Sequence, residues 1–166
     1  MALEEYMTLD AKQYRDIIGQ FATGVTVVTT AVDGRLHGMT ANAISSVSLN
    51  PLLLLVCVDK DAHTHDHLSK AGSFTVNILA EDQQAVSVTF AAPNEPEEGR
   101  LQGVEYKMGA NGAPIIQGCL SHIECEVTEH TDGGDHTIFI GRVLAAETYR
   151  EAPPLLFYQG QYRKLA

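Results

Sequence analysis

Apolar positions along this chain fall mostly into short runs or alternate with polar ones, which is typical of β-strands. Val25 to Val32 is almost entirely β-branched, and every residue from Leu52 to Val58 is apolar. Asp33-Gly34 between them predicts a tight hairpin turn, after which the chain returns from Leu36 to about Val47. We expect the Leu52–Val58 strand to be buried on both faces, because none of its positions is polar.

Alternation in the second half of the chain predicts antiparallel pairing there as well. From Leu120 to Thr128 apolar side chains alternate with Glu124 and Glu126, so one face should be buried and the other exposed to water. Gly133-Gly134 predicts a turn, and Thr137 to Ala146 should return as the hairpin partner. Further strands or short apolar segments are predicted at Phe74–Ile78, Val104–Tyr106, Pro114–Ile116 and Leu155–Tyr158.

Three short helices are predicted between these strands. Asp10 is a candidate N-cap for a helix over residues 10–21, whose apolar side chains recur at three- and four-residue spacing. A second helix should run from Thr64, which would cap it, to Ala71. A third is predicted over 81–91, followed by a surface loop over 92–103. Six or seven hairpin-linked strands without regular long helices predict an antiparallel barrel, formed by residues 1–166 as a single domain.

The composition is that of a globular protein and excludes several functional classes. Of 166 residues, 45% are hydrophobic and 19% charged, and 11 basic against 21 acidic residues give a net charge of −10. Such a charge repels phosphate, so neither nucleic acid nor a membrane surface is an expected partner. The start of the chain lacks the basic segment of a secretory signal. Cys57, Cys119 and Cys125 form no CxxC pair, so we expect buried thiols in a reducing cytoplasm.

The segment from Gly38 to Ser48 is the first candidate for binding chemistry. It combines small residues and hydroxyls where a purely structural strand would carry bulkier side chains. Small residues let a flat ligand approach the backbone, whose N–H and C=O groups can pair with ring heteroatoms. The alternative interpretation is a polar edge strand that faces solvent.

The segment from Asp59 to Thr64 follows a predicted strand and leads into a helix. Lys60 and the helix N-terminus would attract an anion there, although a solvated lysine beside an ordinary capped helix is the alternative. His63 and His67 are four positions apart on that helix and could meet around a metal ion, but the sequence offers no further ligand. Helix-surface histidines are the alternative to a metal site.

His136 lies in a predicted hairpin strand, and its spacing alone gives no strong catalytic signal. Asp135 is not expected to orient the imidazole, because adjacent side chains of a strand point to opposite faces. The chain also lacks GxSxG, Walker A, HExxH and GxGxxG motifs. Esterase, P-loop, zinc-protease and Rossmann functions are therefore without support.

Seven segments of the chain together resemble the flavin reductase family with the split-barrel FMN-binding fold. That family includes the small reductase components of two-component flavin-dependent monooxygenases. The resemblance extends from about Tyr14 to Leu165 and rests on the combination and order of the segments. They are Phe21–Thr30, Gly38–Ala43, Ser46–Ser48, Val56–Lys60, Phe74–Leu79, Gly134–Gly141 and Tyr158–Arg163.

The resemblance implies a mainly β, Greek-key-like antiparallel split barrel that forms a homodimer, with flavin near the subunit interface. The implied flavin-binding residues are Thr40, Ala41, Asn42 and Ala43 at the isoalloxazine ring, Ser46, Val47 and Ser48 at the ribityl phosphate, Cys57, Asp59, Lys60 and Thr64 around the phosphate, and Phe90 near the flavin. For the nicotinamide nucleotide, the implied residues are His136, Tyr162 and Arg163. Many relatives carry an arginine soon after the lysine, where this chain has Asp61, Ala62 and His63, so a cation for phosphate is missing.

The activity that the resemblance implies is that of an NAD(P)H:flavin oxidoreductase. Hydride would pass from nicotinamide C4 to N5 of FMN or FAD, and the reduced flavin would diffuse to a separate monooxygenase. The protein brings two flat rings together, so no catalytic side chain is required. The other functions that stay open are a flavin carrier or sensor without turnover and, from His63 and His67, a metal-binding module. NADH and NADPH are not distinguished.

Overall fold

A computed structural model describes residues 9–92, 101 and 103–166 of the chain. Its helices are α1 (Ala11–Ile18), α2 (His63–Ala71) and α3 (Gln84–Ala91), the last preceded by a 3₁₀ helix (Glu81–Gln83). Its strands are β1 (Thr23–Gly24), β2 (Thr26–Val32), β3 (Arg35–Ala41), β4 (Ile44–Leu49), β5 (Leu52–Asp59), β6 (Ser73–Ile78), β7 (Tyr106–Met108), β8 (Pro114–Ile116), β9 (Ser121–Gly133), β10 (His136–Thr148), β11 (Leu156–Tyr158) and β12 (Gln161–Arg163). The loop predicted over 92–103 lies mostly outside the described residues.

Seven strands form one antiparallel sheet in the order β3-β2-β6-β9-β10-β5-β4. Its two edge strands, β3 and β4, are consecutive in the chain and separated only by Asn42 and Ala43. The sheet must therefore curl until its edges approach each other, which gives a barrel with a split between β3 and β4. β1, β11 and β12 form a second antiparallel sheet, and β7 pairs with β8. The predicted mainly β antiparallel split barrel, with a few short helices, is confirmed.

β2 lies in the middle of the fold and is buried on both faces. Val28 belongs to the core inside the barrel, together with Val56 and Phe74. Val27 points the other way, into a second core that includes Leu79 and Phe90. The β-branched composition of this strand suits a position packed from both sides.

Burial of both faces, which was predicted for Leu52–Val58, is wrong for β5. Only alternate residues of this strand, Leu54, Val56 and Val58, are buried, while Leu55 and Cys57 are partly exposed on the outer face. An unbroken apolar run does not reveal which of its faces the rest of the chain covers. Here the outer face of β5 forms part of a cavity wall.

The return strand predicted from Leu36 to about Val47 is interrupted at Asn42 and Ala43. Before this interruption β3 pairs with β2, and after it β4 pairs with β5. The chain bends where it changes partner across the split. The small and polar residues at the bend therefore lie between two sheet edges rather than inside a continuous strand.

The α2 helix starts one residue before the predicted position and has no side-chain cap. Its N-cap is Ala62, so the prediction that Thr64 caps the helix is wrong. Thr64 is buried inside the first turn, and its hydroxyl donates a hydrogen bond to the Gly38 carbonyl at 3.5 Å. This contact joins α2 to β3, because a buried hydroxyl requires a partner.

The predicted exposure of Glu124 on β9 is also wrong. Its side chain is buried, one oxygen accepts the Asn111 backbone N–H at 2.8 Å, and the other lies 3.3 Å from His122 Nε2. The segment that joins β7 to β8 covers this end of the strand. Alternation gave the side-chain direction, but it did not show that another segment packs over the polar face.

The N-terminal helix and the C-terminal hairpin are joined to each other. The predicted cap of α1 is confirmed, since Asp10 accepts the Gln13 N–H at 2.8 Å and the Gln13 side chain accepts the Asp10 N–H at 2.9 Å. β12 was not predicted. It follows a turn at Gln159 and Gly160, and the Gln159 N–H donates to the Gly19 carbonyl at 2.9 Å. This bond holds the hairpin of β11 and β12 against the end of α1.

Candidate functional site

A cavity of about 650 Å³ opens beside the split of the barrel. Asn42 and Ala43 line it from the split, and Leu55 and Cys57 line it from the outer face of β5. Further lining residues come from α1 and the segment after it, from β1 and β4, and from the C-terminal hairpin: Arg15, Ile18, Gly19, Phe21, Thr23, Ile44, Ser45, Phe157, Gln159 and Gly160. Small and apolar residues dominate this wall, which suits a flat and largely apolar ligand.

A second cavity, of about 160 Å³, lies on the other side of Asn42 and Phe157, which line both cavities. Thr40, Ala41 and Tyr162 are also among its lining residues. The structure therefore brings the predicted ring-contacting residues and Tyr162 to one place. Two adjacent cavities at the split provide room for two ligand groups beside each other.

A hydrogen-bond chain through α3 fixes Thr40 and Tyr162 relative to each other. The Thr40 hydroxyl donates to the Ser87 carbonyl at 2.6 Å, and the Ser87 hydroxyl shares a hydrogen bond of 2.7 Å with the Tyr162 hydroxyl. Tyr162 also packs edge-on against Phe157, with ring centroids 5.6 Å apart. These contacts hold the Thr40 and Tyr162 side chains in fixed positions in the wall of the smaller cavity.

Phe90 lies behind this wall, because its side chain is only 2% exposed. Its ring packs directly against Gly38 of β3, where an added Cβ atom would lie 2.7 Å from the ring carbon Cε1. A residue larger than glycine would displace either the ring or the strand. Phe90 therefore supports the strand that carries Thr40 and Ala41.

The outer face of β5 extends from the larger cavity to His136. Leu55, Cys57 and Asp59 share this face because strand side chains alternate. His136 pairs directly with Asp59 across β5 and β10, and directly opposed residues project to the same face. Asp59 lies about 7 Å beyond Cys57 at the usual strand rise. His136 is therefore at the rim of the same face as the cavity.

The end of β9 and the turn that follows it contact both Lys60 and His136 at this rim. The Lys60 ammonium contacts the Asp132 carboxylate and donates to the Gly134 carbonyl at 2.6 Å. His136 Nδ1 lies 2.7 Å from the Asp135 carboxylate. The expectation that Asp135 would point away from His136 is wrong, because Asp135 lies in the turn rather than in the strand.

The same contacts lower the pKa values of two carboxyl groups, that of Asp132 near the end of β9 and that of Asp135 in the turn. A hydrogen bond from Lys60 lowers the pKa of Asp132, and a hydrogen bond from His136 lowers the pKa of Asp135. Both carboxylates are thus ionised near neutral pH. Lys60 and His136 therefore each lie beside a negative charge that belongs to the chain itself.

On β4, alternation selects Ser45 for the cavity wall. Ser45 pairs with Leu55 and lines the cavity, whereas Ser46 pairs with the inward-facing Leu54. A bulge at Val47 follows, and Ser48 pairs with Leu53 further along the strand. Ser46, Val47 and Ser48 therefore lie beyond the residues that line the cavity.

The three cysteines differ in their exposure. Burial raises the pKa of the Cys119 thiol to about 11 and that of Cys125 to about 12, which agrees with their prediction as buried residues. Cys57 is only half-buried and lines the cavity, so the prediction of full burial is wrong for it. Partial burial still raises its pKa, which keeps this group a neutral thiol near pH 7.

The histidines of α2 do not assemble a metal site in the part of the chain that the structure describes. No group of three potential metal-ligating side chains occurs within residues 9–92, 101 and 103–166. The His67 ring instead stacks on His37 of β3, with centroids 3.5 Å apart. His65, which the metal hypothesis left out, lies with Nε2 2.8 Å from the Thr137 hydroxyl.

Several lining residues were missed by the sequence reasoning. Arg15 carried no signal, because only tertiary packing brings the polar side of α1 to the cavity. Ser45 could have been found from its alternation with Ala43. Phe157 lies beside the Tyr158–Arg163 segment that carried the resemblance. Arg163 itself is exposed on β12, opposite Leu156.

Comparison with known proteins gives a consistent result. Residues 18–166 match the family model described as a flavin reductase like domain. The reductase subunit of a flavin-dependent monooxygenase from Rhodococcus jostii is 38% identical over 154 residues, which cover 93% of this chain and 77% of that protein.

Two solved structures are also similar over nearly the whole chain. The flavin reductase component of a bacterial two-component tryptophan halogenase is 44% identical, with a TM-score of 0.89 and coverage of 94% of this chain and 98% of that one. The NADH:FAD oxidoreductase of Streptomyces globisporus, solved with NAD and FAD fragments, is 39% identical, with a TM-score of 0.89 and coverage of 95% and 93%.

Proposed function

This chain belongs to the flavin reductase family, and we propose that it is an NAD(P)H:flavin oxidoreductase that supplies reduced FMN or FAD to a separate monooxygenase. The relatives support this assignment, since they include a monooxygenase reductase subunit and an NADH:FAD oxidoreductase. NADH is accordingly the donor that we expect to work best.

The observation that carries the proposal is the pair of adjacent cavities at the split. A flavin ring is flat and apolar on both faces, with heteroatoms along its edge. Ala43 and Ser45 leave space for such a ring, Leu55 and Phe157 offer apolar surface, and the Asn42 amide can both donate to and accept from ring heteroatoms. The residues present therefore fit a flavin.

The chain's contribution to the reaction is positional. When bound, the flavin and the nicotinamide supply the hydride chemistry themselves. Thr40, Ala41, Asn42 and Ala43 would fix the ring plane against the split, with Phe90 supporting β3 from behind. Cys57 would contact the ring through its neutral thiol. Holding two rings in register is where the rate enhancement arises, because orientation replaces a rare bimolecular encounter.

The phosphate and the nicotinamide would be held at the edges of the cavities. Lys60 and Asp59, with Thr64 behind them in α2, would lie around the flavin phosphate. Ser46, Val47 and Ser48 lie beside Leu53 and Leu54, toward the opposite end of β5, and would contact the flavin only on that side of the ring. His136 on the rim and Tyr162 in the smaller cavity would bind the nicotinamide nucleotide, with Arg163 on the adjacent strand. The His136 imidazole would act in binding and not in proton transfer.

We also propose that the protein is a homodimer whose interface includes α1. No α1 side chain is buried within the single chain, and the apolar stripe of the helix is open to solvent. Tyr14 is 56% exposed, Ile17 61% and Phe21 73%. A contiguous apolar face of this kind marks an interaction surface. The single chain has a mass of 18.0 kDa, and sedimentation or light scattering should therefore give twice that mass.

Two further proposals concern the context of the chain. Three free cysteines fit a reducing cytoplasm. Residues 1–166 are proposed to act as a single domain. No helix of the described residues is long and apolar enough to cross a membrane.

The experiment that tests the function is NADH oxidation, followed by absorbance, with and without added FMN, FAD or riboflavin. Rapid oxidation that depends on added flavin is the expected result, and repeating it with NADPH fixes the donor. Tight flavin binding by a folded protein without any oxidation would contradict the reductase and support a carrier or sensor.

A further inference from the structure

The end of β9 and the turn that follows it bring the Asp132 carboxylate to the lysine that the proposed function assigns to the flavin phosphate. Lys60 Nζ contacts Asp132, and the same nitrogen donates to the Gly134 carbonyl at 2.6 Å. An ammonium group has three N–H donors, and two of them are thus directed at this hairpin. A ligand phosphate that reaches Lys60 therefore meets a cation that already has an anionic partner.

The pair is open enough to be displaced. The Lys60 side chain is 40% exposed and that of Asp132 is 76% exposed, so neither group is locked in the core. Exposed ion pairs of this type contribute little net stability, because water competes for both partners. A phosphate carrying up to two negative charges can replace the single charge of the carboxylate.

We propose that Asp132 weakens the binding of phosphate-bearing flavins by competing with their phosphate for the Lys60 ammonium. This inference rests on the proposed function, which places Lys60 at the flavin phosphate. Its consequence is a reductase that releases its flavin readily. The missing arginines at 61–63 remove cations from this region, and Asp132 neutralises the one that remains.

The Asp132 side of this competition should not change with pH across the neutral range. The hydrogen bond from Lys60 lowers the pKa of Asp132 below its ordinary value, so the carboxylate protonates only in acid. Among the groups that the structure places at this pair, Asp59, Asp61 and Asp135 are further carboxylates and His136 is the other titratable cation. None of these contacts Lys60 Nζ in the described part of the chain.

The test compares the affinities of riboflavin, FMN and FAD for the wild type and for Asp132→Asn, measured by flavin fluorescence at one ionic strength. FMN and FAD should bind about two- to fivefold more tightly to Asp132→Asn, as expected when an exposed ion pair no longer competes. Riboflavin, which has no phosphate, should bind both proteins equally. Equal gains for all three flavins, or no gain for FMN and FAD, would overturn the proposal.

Two further variants serve as controls. One tests whether loss of a negative charge elsewhere has the same effect, and the other tests whether the effect of Asp132 acts through Lys60. Asp82, on the 3₁₀ helix, is a carboxylate that pairs with Arg150. Asp82→Asn removes the same unit of charge and should leave the affinities for riboflavin, FMN and FAD unchanged. In a Lys60→Gln background, Asp132→Asn should give no gain, and a gain that persists there would contradict the inference. NADH oxidation by the wild type is measured in parallel, so that loss of the proposed function is seen separately. If the wild type binds no flavin, both the proposed function and this inference are contradicted.

Discussion

The two ends of the outer face of β5 are built from opposite kinds of interaction. At the cavity end, half-buried Leu55 and Cys57 face Phe157 around an apolar space. At the hairpin end, exposed Lys60 and partly exposed His136 each contact a carboxylate of the β9–β10 hairpin. The first end can recognise a ring by its shape, whereas the second recognises charge only in competition with the chain's own anions.

The cations near the two ends also differ, because only one of them is paired with a carboxylate among the described residues. Arg15 lines the cavity, and its guanidinium has no carboxylate partner among the residues that the structure describes. Lys60 has Asp132. In a chain with a net charge of −10, an uncompensated cation beside a cavity is a strong local attraction for an anion. We therefore expect Arg15 on α1 to contribute more to ligand binding than Lys60 does.

Filling the cavity end should have the largest effect. Ala43→Trp places an indole in the space proposed for the flavin ring and should weaken flavin binding by at least about 30-fold, or roughly 2 kcal/mol. Flavin fluorescence quenching measures the affinity. Ala85→Trp, at an exposed position of α3, is the matched control and should bind normally. Unchanged flavin affinity in a folded Ala43→Trp protein would place the flavin elsewhere.

Removing each cation in turn tests the electrostatic half of the comparison. Arg15→Gln should weaken FMN binding by about five- to tenfold, because a cation without a competing partner is lost. Lys60→Gln should weaken it by only about two- to threefold, because Asp132 already neutralises that cation. Riboflavin, which has no phosphate, should bind Lys60→Gln as it binds the wild type, whereas Arg15→Gln should weaken riboflavin and FMN alike, because Arg15 lines the cavity proposed for the ring. A larger effect at Lys60 than at Arg15 would reverse the comparison.

At the hairpin end, His136 should affect the nicotinamide nucleotide more than the chemical step. His136→Ala should raise the KM for NADH by about three- to fivefold with little change in kcat, as expected when a binding contact is lost. His130→Ala, an exposed histidine of the same hairpin, is the control for removal of an imidazole. A fall in kcat at unchanged KM would assign His136 to the reaction itself.

The fold was largely predictable because its information is local. The β-branched run of β2, the Asp33-Gly34 turn and the capping box of α1 all act over a few residues. Failures occurred where a distant segment decides the outcome. Glu124 is buried because the β7–β8 segment packs over it, and β5 is half open because only its inner face meets the barrel core.

The candidate site was predictable only along the strands that carry the family's segments. Asn42, Ala43 and Cys57, which the resemblance assigns to the flavin, line the larger cavity. Arg15 reaches it because the C-terminal hairpin holds the end of α1 through Gln159, a contact between opposite ends of the sequence. The pairing of Lys60 with Asp132 spans 72 positions and likewise has no local signature.

Cys57 lies at the cavity end, on the side nearer the hairpin end, and its chemistry gives the smallest expected effect. Its pKa is raised by burial, and thiolates rather than thiols are the reactive species, so alkylation near pH 7 should be slow and should accelerate as the pH rises. Only this thiol should be labelled in the folded protein, because Cys119 and Cys125 are fully buried. Mass spectrometry after iodoacetamide treatment identifies the site.

Flavin should protect Cys57 from that labelling if the ring occupies the cavity end. Cys57→Ser should change flavin affinity by less than about twofold, since the substitution is nearly isosteric and the neutral thiol contributes only contact area. Labelling that flavin does not slow would show that the ring lies away from the outer face of β5. The cavity end would then be a space that the ligand does not use, and the hairpin end would have to provide most of the binding energy.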